Sequence, residues 1–209
     1  GDPVACCVVL LHGIAYSCKS LEDGKRQILA FHFPGDLCGL MSIGINPAAN
    51  LGTDHDIYAL TKVKSALVSQ ATLLEWIREH GDSRQLIWRS LLLNITMFRA
   101  WVVNVGRRSA YQRTAHLLCE LVARLGAANQ SLSPSSYRFP FTQAVLADAL
   151  GITQVHVNRM LQRLRGEGLI ELGSGVLVVR DQTGLHEAAG LDSNYLERLV
   201  PEKGLRRFA

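Results

Sequence analysis

Gly151 separates two short apolar-periodic segments, and what surrounds it constrains this chain more tightly than any other feature. Before it, Gln143 to Leu150 has Val145, Leu146, Ala149 and Leu150 apolar, the pattern of a short helix, and Ala147 lets another helix cross closely. After it, Thr153 is placed to cap a second helix, whose Val157, Met160, Leu161 and Leu164 fall at i, i+3, i+4 and i+7 and form its expected buried face. Gly151 supplies the tight turn, so the helices cross steeply and one face of the second stays free. That face carries Gln154, Val155, Asn158, Arg159, Gln162 and Arg163, with His156 beside it. Arginine grips guanine bidentately, Asn and Gln do the same with adenine, and no acidic residue occurs from Gln154 to Arg165. Leu169 to Leu172, Gly173-Ser174-Gly175 and Val176 to Val179 then read as a β-hairpin. Helix, turn, helix and wing in this order predict a winged helix-turn-helix binding double-stranded DNA. A helical core with a solvated arginine face explains the helices but not all four parts together. The expected DNA-contacting residues are Thr153, Gln154, Val155, His156, Asn158, Arg159, Gln162 and Arg163, with Arg159 reading a base and Arg163 holding a phosphate.

Upstream the text is strand-like from Val4 to about Val68, with Val8 to Leu11, Ile28 to Phe33 and Ile57 to Val63 as strands. Glu22-Asp23-Gly24-Lys25 reads as a hairpin turn between Tyr16 to Leu21 and Arg26 to Phe31, with Gly24 at positive φ. Pro34-Gly35-Asp36 is a second turn, and Leu37 to Asn50 suits a loop or a short helix. Helical grammar begins at Gln70, and Asp82 or Ser83 can cap a long segment reaching about Gly106. Ile87, Leu91, Asn94, Phe98, Trp101 and Val105 alternate steps of four and three, a heptad seam expected to pair two copies of the chain, with Asn94 fixing register. A second stripe of Trp88, Leu92, Ile95 and Val102 widens the apolar surface, so the helix is expected to pack on a partner helix and on the β unit at once.

A further amphipathic helix follows Ser109, with Ala115, Leu118, Val122 and Leu125 inward and Cys119 among them. Gly126 to Ser136 reads as a loop, and Tyr137 to Phe141 as a short edge strand because Pro140 does not suit a central one. The tail after Arg180 has helical flavour and no role that its sequence argues.

Hydrophobic residues at 48% and charged residues at 19% exclude a disordered chain. The apolar run from Val4 to Leu11 ends at His12, far short of the ~20 residues a membrane span needs, and no signal-peptide grammar is present. A cytoplasmic protein without a membrane partner is expected. The net charge of +4 permits an anionic partner. The five cysteines, Cys6, Cys7, Cys18, Cys38 and Cys119, lack a CxxC pair or zinc spacing and are expected as reduced, mostly buried thiols. Walker A, GxSxG, HExxH and dinucleotide fingerprints are all missing, so neither an enzyme nor a metal site is expected.

Taken together, these blocks resemble the Crp/Fnr family of bacterial transcription regulators over nearly the whole chain. The resemblance rests on His12-Gly13, Glu22-Asp23-Gly24-Lys25 and Phe33-Pro34-Gly35-Asp36 with Gly39; on Gly106-Arg107-Arg108-Ser109-Ala110 with Arg113; and on Leu146 to Thr153 running on to Val157-Asn158-Arg159 and Leu164 to Ile170. It implies an α+β fold: a cyclic-nucleotide-binding-like β-roll over 1–78, a dimerisation helix over 79–108, a winged helix-turn-helix over 109–180 and a tail over 181–209. It also implies a homodimer on an inverted-repeat DNA site, with RNA polymerase and a small-molecule effector as further partners. The effector pocket would include Gly35, Asp36, Gly39, Leu40 and Met41. In the family the residue at the Arg159 position contacts bases, and those matching Val155 and Asn158 contribute. Members begin with more β-roll before the equivalent of Gly1, so a front segment is expected to be lacking from this sequence.

Several departures bear on the signal. Members that bind cyclic AMP carry Gly-Glu-Leu and then an Arg-Ser pair, whereas here Gly39 precedes Leu40-Met41-Ser42 and no arginine lies between Arg26 and Arg78. In the stretch Gly52-Thr53-Asp54-His55-Asp56 both aspartates would repel a phosphate, so an effector other than cyclic AMP is expected. Oxygen-sensing members hold an iron–sulfur cluster with four cysteines, and the β-roll one would fall near Val63. A haem- or thiol-based sensor using the same DNA-binding domain is the alternative. No cofactor is assigned. Where those members place a base-reading Glu this chain has Val155, so a different target sequence is expected.

Overall fold

The computed structural model describes residues 6–38, 54–81, 83–191 and 195–196. Two compact units divide after Ala100.

Among the described residues the first unit holds two antiparallel three-stranded sheets. One has the order β4-β1-β6, from β1 (Cys6–His12), β4 (Leu37–Cys38) and β6 (Lys64–Ser69); the other has the order β3-β2-β5, from β2 (Ala15–Ser20), β3 (Arg26–His32) and β5 (Asp56–Ala59). The β2–β3 hairpin closes as its residues require: Gly24 takes φ +79°, its N–H donates to Leu21 O at 3.0 Å, and the Asp23 carboxylate accepts the Lys25 N–H at 3.0 Å. Gly13, at φ +85°, is required for a second reason, since a Cβ there would lie 2.3 Å from the Lys62 carbonyl oxygen. The single strand expected over Ile57 to Val63 is instead interrupted. Leu60 N–H donates to Ile14 O at 2.8 Å and Thr61 Oγ1 accepts the Ile14 N–H at 2.9 Å, so the chain leaves one sheet there and enters the other as β6. Leu37 to Asn50 begins as β4, and residues 39–50 lie outside the described residues, as does Asp82.

Ser69 caps α1 (Gln70–Glu79), its hydroxyl accepting the Thr72 N–H at 3.0 Å. Cys7 and Leu73 form a buried cluster against which Leu37, Val68, Ile77, Ile87 and Leu91 pack, the last two from α2 (Ser83–Arg107). Among the described residues, α2 over Arg84–Arg107 is long and apolar enough, by length and composition, to cross a membrane. The most span-like segment is thus this helix and not the run near Val4.

In the second unit α3 (Ala110–Ala127) starts at a capping box of Ser109 and Gln112 and buries Ala115, Leu118, Cys119 and Leu125, with Val122 only half-buried. The sheet has the order β7-β8-β10-β9, from β7 (Ser131–Ser133), β8 (Ser136–Arg138), β9 (Ile170–Gly173) and β10 (Val176–Val179). Two expectations are corrected here. The segment Gly126 to Ser136 is not wholly a loop, because β7 pairs with β8. Nor does β8 lie at an edge, since β10 takes its other side and Pro140, beyond the strand's end, does not interfere.

Helices α4 (Gln143–Leu150) and α5 (Gln154–Gly166) follow, then α6 (Gln182–Ala189), which packs on α3 through buried Leu185 and Ala189. The residues after Arg180 therefore belong to the second unit's core as far as α6, rather than forming a tail throughout.

Candidate nucleic-acid interface

Each turn of the helix-turn-helix has a local cause. Thr142 caps α4 by accepting the Val145 N–H at 3.3 Å, and Gly151 ends it in the left-handed region at φ 63°. Two residues later Thr153 caps α5, its hydroxyl accepting the His156 N–H at 3.3 Å. Val157, Leu161 and Leu164 are buried, and Met160 is half-buried. The opposite face leaves Thr153, Gln154, Val155, Asn158, Arg159, Gln162 and Arg163 exposed, with His156 half-buried at its margin.

These side chains differ in how they are held. Among the described residues Arg159 has no ion-pair or hydrogen-bond partner. Asn158 Oδ1 accepts from Gln143 Nε2 at 3.4 Å, which turns its amide nitrogen away from α4. Arg163 is already engaged: its Nε donates to Glu167 Oε1 at 2.8 Å and its guanidinium lies 4.1 Å from the centre of the Tyr111 ring. The Tyr111 hydroxyl donates to Glu167 Oε2, and burial together with that carboxylate pushes the phenol up to about 12. The hairpin β9–β10 turns through Ser174 at φ 51° and Gly175 at φ 72°, both positive as a two-residue type I′ turn requires. An Arg180–Glu171 ion pair of 2.8 Å spans its base.

The expected pairing seam is divided. Ile87 and Leu91 pack into the first unit's core, and Asn94 Nδ2 donates to its own helix at Ser90 O, 2.8 Å away. Trp101 is only 7% exposed, and its Nε1 donates to Glu120 Oε2 at 2.9 Å, so it is committed within its own chain and is not available to a partner helix. Phe98 and Val105 remain exposed. The whole second stripe, Trp88, Leu92, Ile95 and Val102, is exposed as well. The helix has two apolar faces, as expected, and of the expected seam's apolar residues only Ile87, Leu91 and Trp101 are used within the chain, while Phe98 and Val105 stay exposed beside the second stripe.

Of the expected effector residues, Gly39, Leu40 and Met41 lie outside the described residues. Gly35 and Asp36 hold the turn to β1: Gly35 N–H donates to Leu10 O at 2.8 Å, and the Asp36 carboxylate accepts the Phe33 N–H at 2.8 Å.

Two constellations escaped the sequence reading. Arg113 donates to Leu150 O at 2.7 Å and to Val105 O at 2.8 Å, joining the last turn of α2 to the last turn of α4 just before Gly151. Helix C-termini leave carbonyls unpaired, and a guanidinium is well shaped to take several. Glu120, buried on α3, accepts from both Trp101 Nε1 and the Tyr195 hydroxyl, the latter at 2.8 Å. Burial raises its carboxyl, while those donors and Arg124 pull it down. His116, 5.2 Å from the Tyr195 ring, is pushed down to about 4 by burial and then by Arg108. The available signal was a run of polar residues, His116, Glu120 and Arg124, repeating at i+4 on a helix otherwise apolar on that side.

Comparison with known proteins finds relatives for both parts of the chain. Residues 1–80 match the family model of the cyclic nucleotide-binding domain and residues 112–188 that of the Crp-like helix-turn-helix domain. The chain is 28% identical over 198 residues to the transcriptional activator protein FnrL of Cereibacter sphaeroides, covering 93% of this chain and 77% of that one. It is 27% identical over 174 residues to the nitrogen fixation regulation protein FixK of Rhizobium meliloti, covering 82% and 72%. The structure of FixK2 from Bradyrhizobium japonicum superimposes with a TM-score of 0.76 at 24% identity, covering 92% and 91%, which shows the shared fold.

Proposed function

We propose that the chain, which carries a cyclic nucleotide-binding domain and a Crp-like helix-turn-helix domain and is similar to Crp/Fnr-type regulators, is a DNA-binding transcription regulator that binds an inverted-repeat site as a homodimer, placing α5 in the major groove of each half-site. One observation carries this reading above the rest: an exposed, acid-free face on α5 with the unpartnered Arg159 within its first two turns, where helix-turn-helix proteins contact base edges. The exposed stripe Trp88, Leu92, Ile95 and Val102 supports pairing through α2. Arg89 and Arg99 interrupt that helix's apolar length, and Ile87 and Leu91 are used by the first unit's core, so a pairing seam accounts for it better than a membrane span.

RNA polymerase is the proposed protein partner, by the likeness to Crp/Fnr-type regulators. The effector is a small molecule other than cyclic AMP: Asp54, in the stretch where a phosphate would need a cation, is exposed and paired with His55 Nδ1 at 2.8 Å. A thiol-based signal gains no support from Cys7 or Cys119, whose thiols burial raises, the latter to about 12.

The test is a binding series on a site recovered from cells and on its scrambled version. Arg159→Ala should weaken specific binding by about 1–3 kcal/mol per half-site and leave salt-dependent non-specific binding nearly unchanged. Equal weakening on both duplexes would make Arg159 a positioning contact and overturn the assignment of the recognition face.

A further inference from the structure

We infer that Val155 reads the C5-methyl group of a thymine, fixing one A·T pair in each half-site; the inference rests on the DNA-binding reading of α5. Val155 is 72% exposed, more than any other large apolar side chain described in the second unit. It is the second residue of α5, one turn before Arg159 and on the same face as Gln154, Asn158, Arg159 and Gln162. Among the described residues none buries it. Burial is supplied by Val157 and its neighbours on the far side, and a β-branched residue is a poorer helix former than the Gln or Arg around it.

A valine side chain neither donates nor accepts a hydrogen bond, so it cannot read the nitrogen and oxygen pattern of a base edge. In the major groove only thymine offers an apolar group, its C5-methyl. Cytosine at the same place would bring an N4 amine against an alkyl surface and leave its donor unpaired. In a helix, moreover, Val holds one strongly preferred χ1 rotamer, so the contact surface is preset. One helical turn advances about 5.4 Å and one base step about 3.4 Å, which places the thymine within about two base pairs of the guanine assigned to Arg159.

The experiment selects sites from a randomised duplex pool with the full chain. It then replaces each thymine of the selected site, one at a time, with deoxyuridine, which lacks only the methyl. At one thymine per half-site the wild-type chain should lose about fourfold in affinity, and about fifteenfold with both half-sites substituted, the worth of one buried methyl at each. Val155→Ala, on an exposed face, should bind the thymine and deoxyuridine duplexes alike. Val155→Glu should shift the preference at that pair toward cytosine, whose N4 amine a carboxylate accepts. Tolerance of deoxyuridine at every position, or the same discrimination surviving in Val155→Ala, overturns the inference while leaving DNA binding in place. A pool that yields no preferred site overturns the DNA-binding reading and this inference with it.

Discussion

Three residues of α3 decide how the second unit holds together, and each uses a different physical means. Arg113 closes the open ends of two helices with one guanidinium. Arg113→Lys keeps the charge but cannot reach both carbonyls with a planar fork, so it should destabilise the unit by about 1–3 kcal/mol in urea denaturation. Glu120 gathers Trp101 and Tyr195, and Tyr195→Phe should cost about 1.5–3 kcal/mol because a hydrogen bond to a buried carboxyl group is lost. His116 makes stability depend on pH. Its folded value of about 4 lies below its ordinary 6.5, so as pH falls through that window the unfolded chain takes up a proton that the folded chain refuses. Stability from this group is therefore full above pH 6.5 and declines toward pH 4, by about 3 kcal/mol over the whole range. Glu120 acts with the opposite sign, since burial raises its carboxyl and the folded chain holds that proton longer than the unfolded one. Denaturation at pH 7 and pH 4.5 should show a loss in the wild-type chain that His116→Gln largely removes; an undiminished loss would assign the acid sensitivity elsewhere.

The elements show what periodicity conveys and what it leaves open. Capping residues, glycine turns and alternating strands are local signals, and Ser69, Ser109, Thr142, Thr153, Gly24 and Gly151 all sit where local chemistry puts them. The helix-turn-helix was legible for that reason, since its parts are adjacent in sequence. Which stripe of α2 faces inward was not legible. Two stripes of comparable apolarity lie side by side, and the choice is made by residues far away in the chain: Cys7 and Leu73 receive Ile87 and Leu91, while Glu120 receives Trp101. Similarly β7 needs a partner strand to exist, and α6 needs the surface of α3. The effector residues past Cys38 lie outside the described residues. The exposed stripe of α2 reads Trp88, Leu92, Ile95, Arg99, Val102, again in steps of four and three, and α2 contains no Asp or Glu to neutralise Arg99. In a symmetric pair two Arg99 side chains would approach one another. Arg99→Leu should therefore tighten dimerisation about tenfold in sedimentation equilibrium, whereas Ile95→Glu should yield monomers that keep their fold.

At the scale of the whole molecule, dimerisation and DNA recognition become one measurable quantity. Proposed contacts to phosphate release counterions, and the logarithm of the binding constant falls with the logarithm of salt concentration by about 0.9 per phosphate neutralised. A two-fold dimer presents the same contacts twice, so its site must be an inverted repeat with half-site centres about 34–36 Å apart. The slope for the dimer on the full site should then be about twice that of the Ile95→Glu monomer on one half-site. Arg163 refines the expectation. Its charge is partly balanced by Glu167 before any DNA arrives, at 2.8 Å, so it contributes less to the slope than an unpaired arginine. Glu167→Gln frees that charge and should steepen the slope by up to about 0.9 per half-site, and Arg163→Ala should flatten it for specific and scrambled duplexes alike. Adding about five base pairs between half-sites rotates them to opposite faces of the duplex, and affinity should fall to that of a single half-site. If the longer site binds as tightly as the original, or if monomer and dimer give the same salt slope, the two copies of α5 do not engage the DNA together and the seam on α2 serves some other assembly.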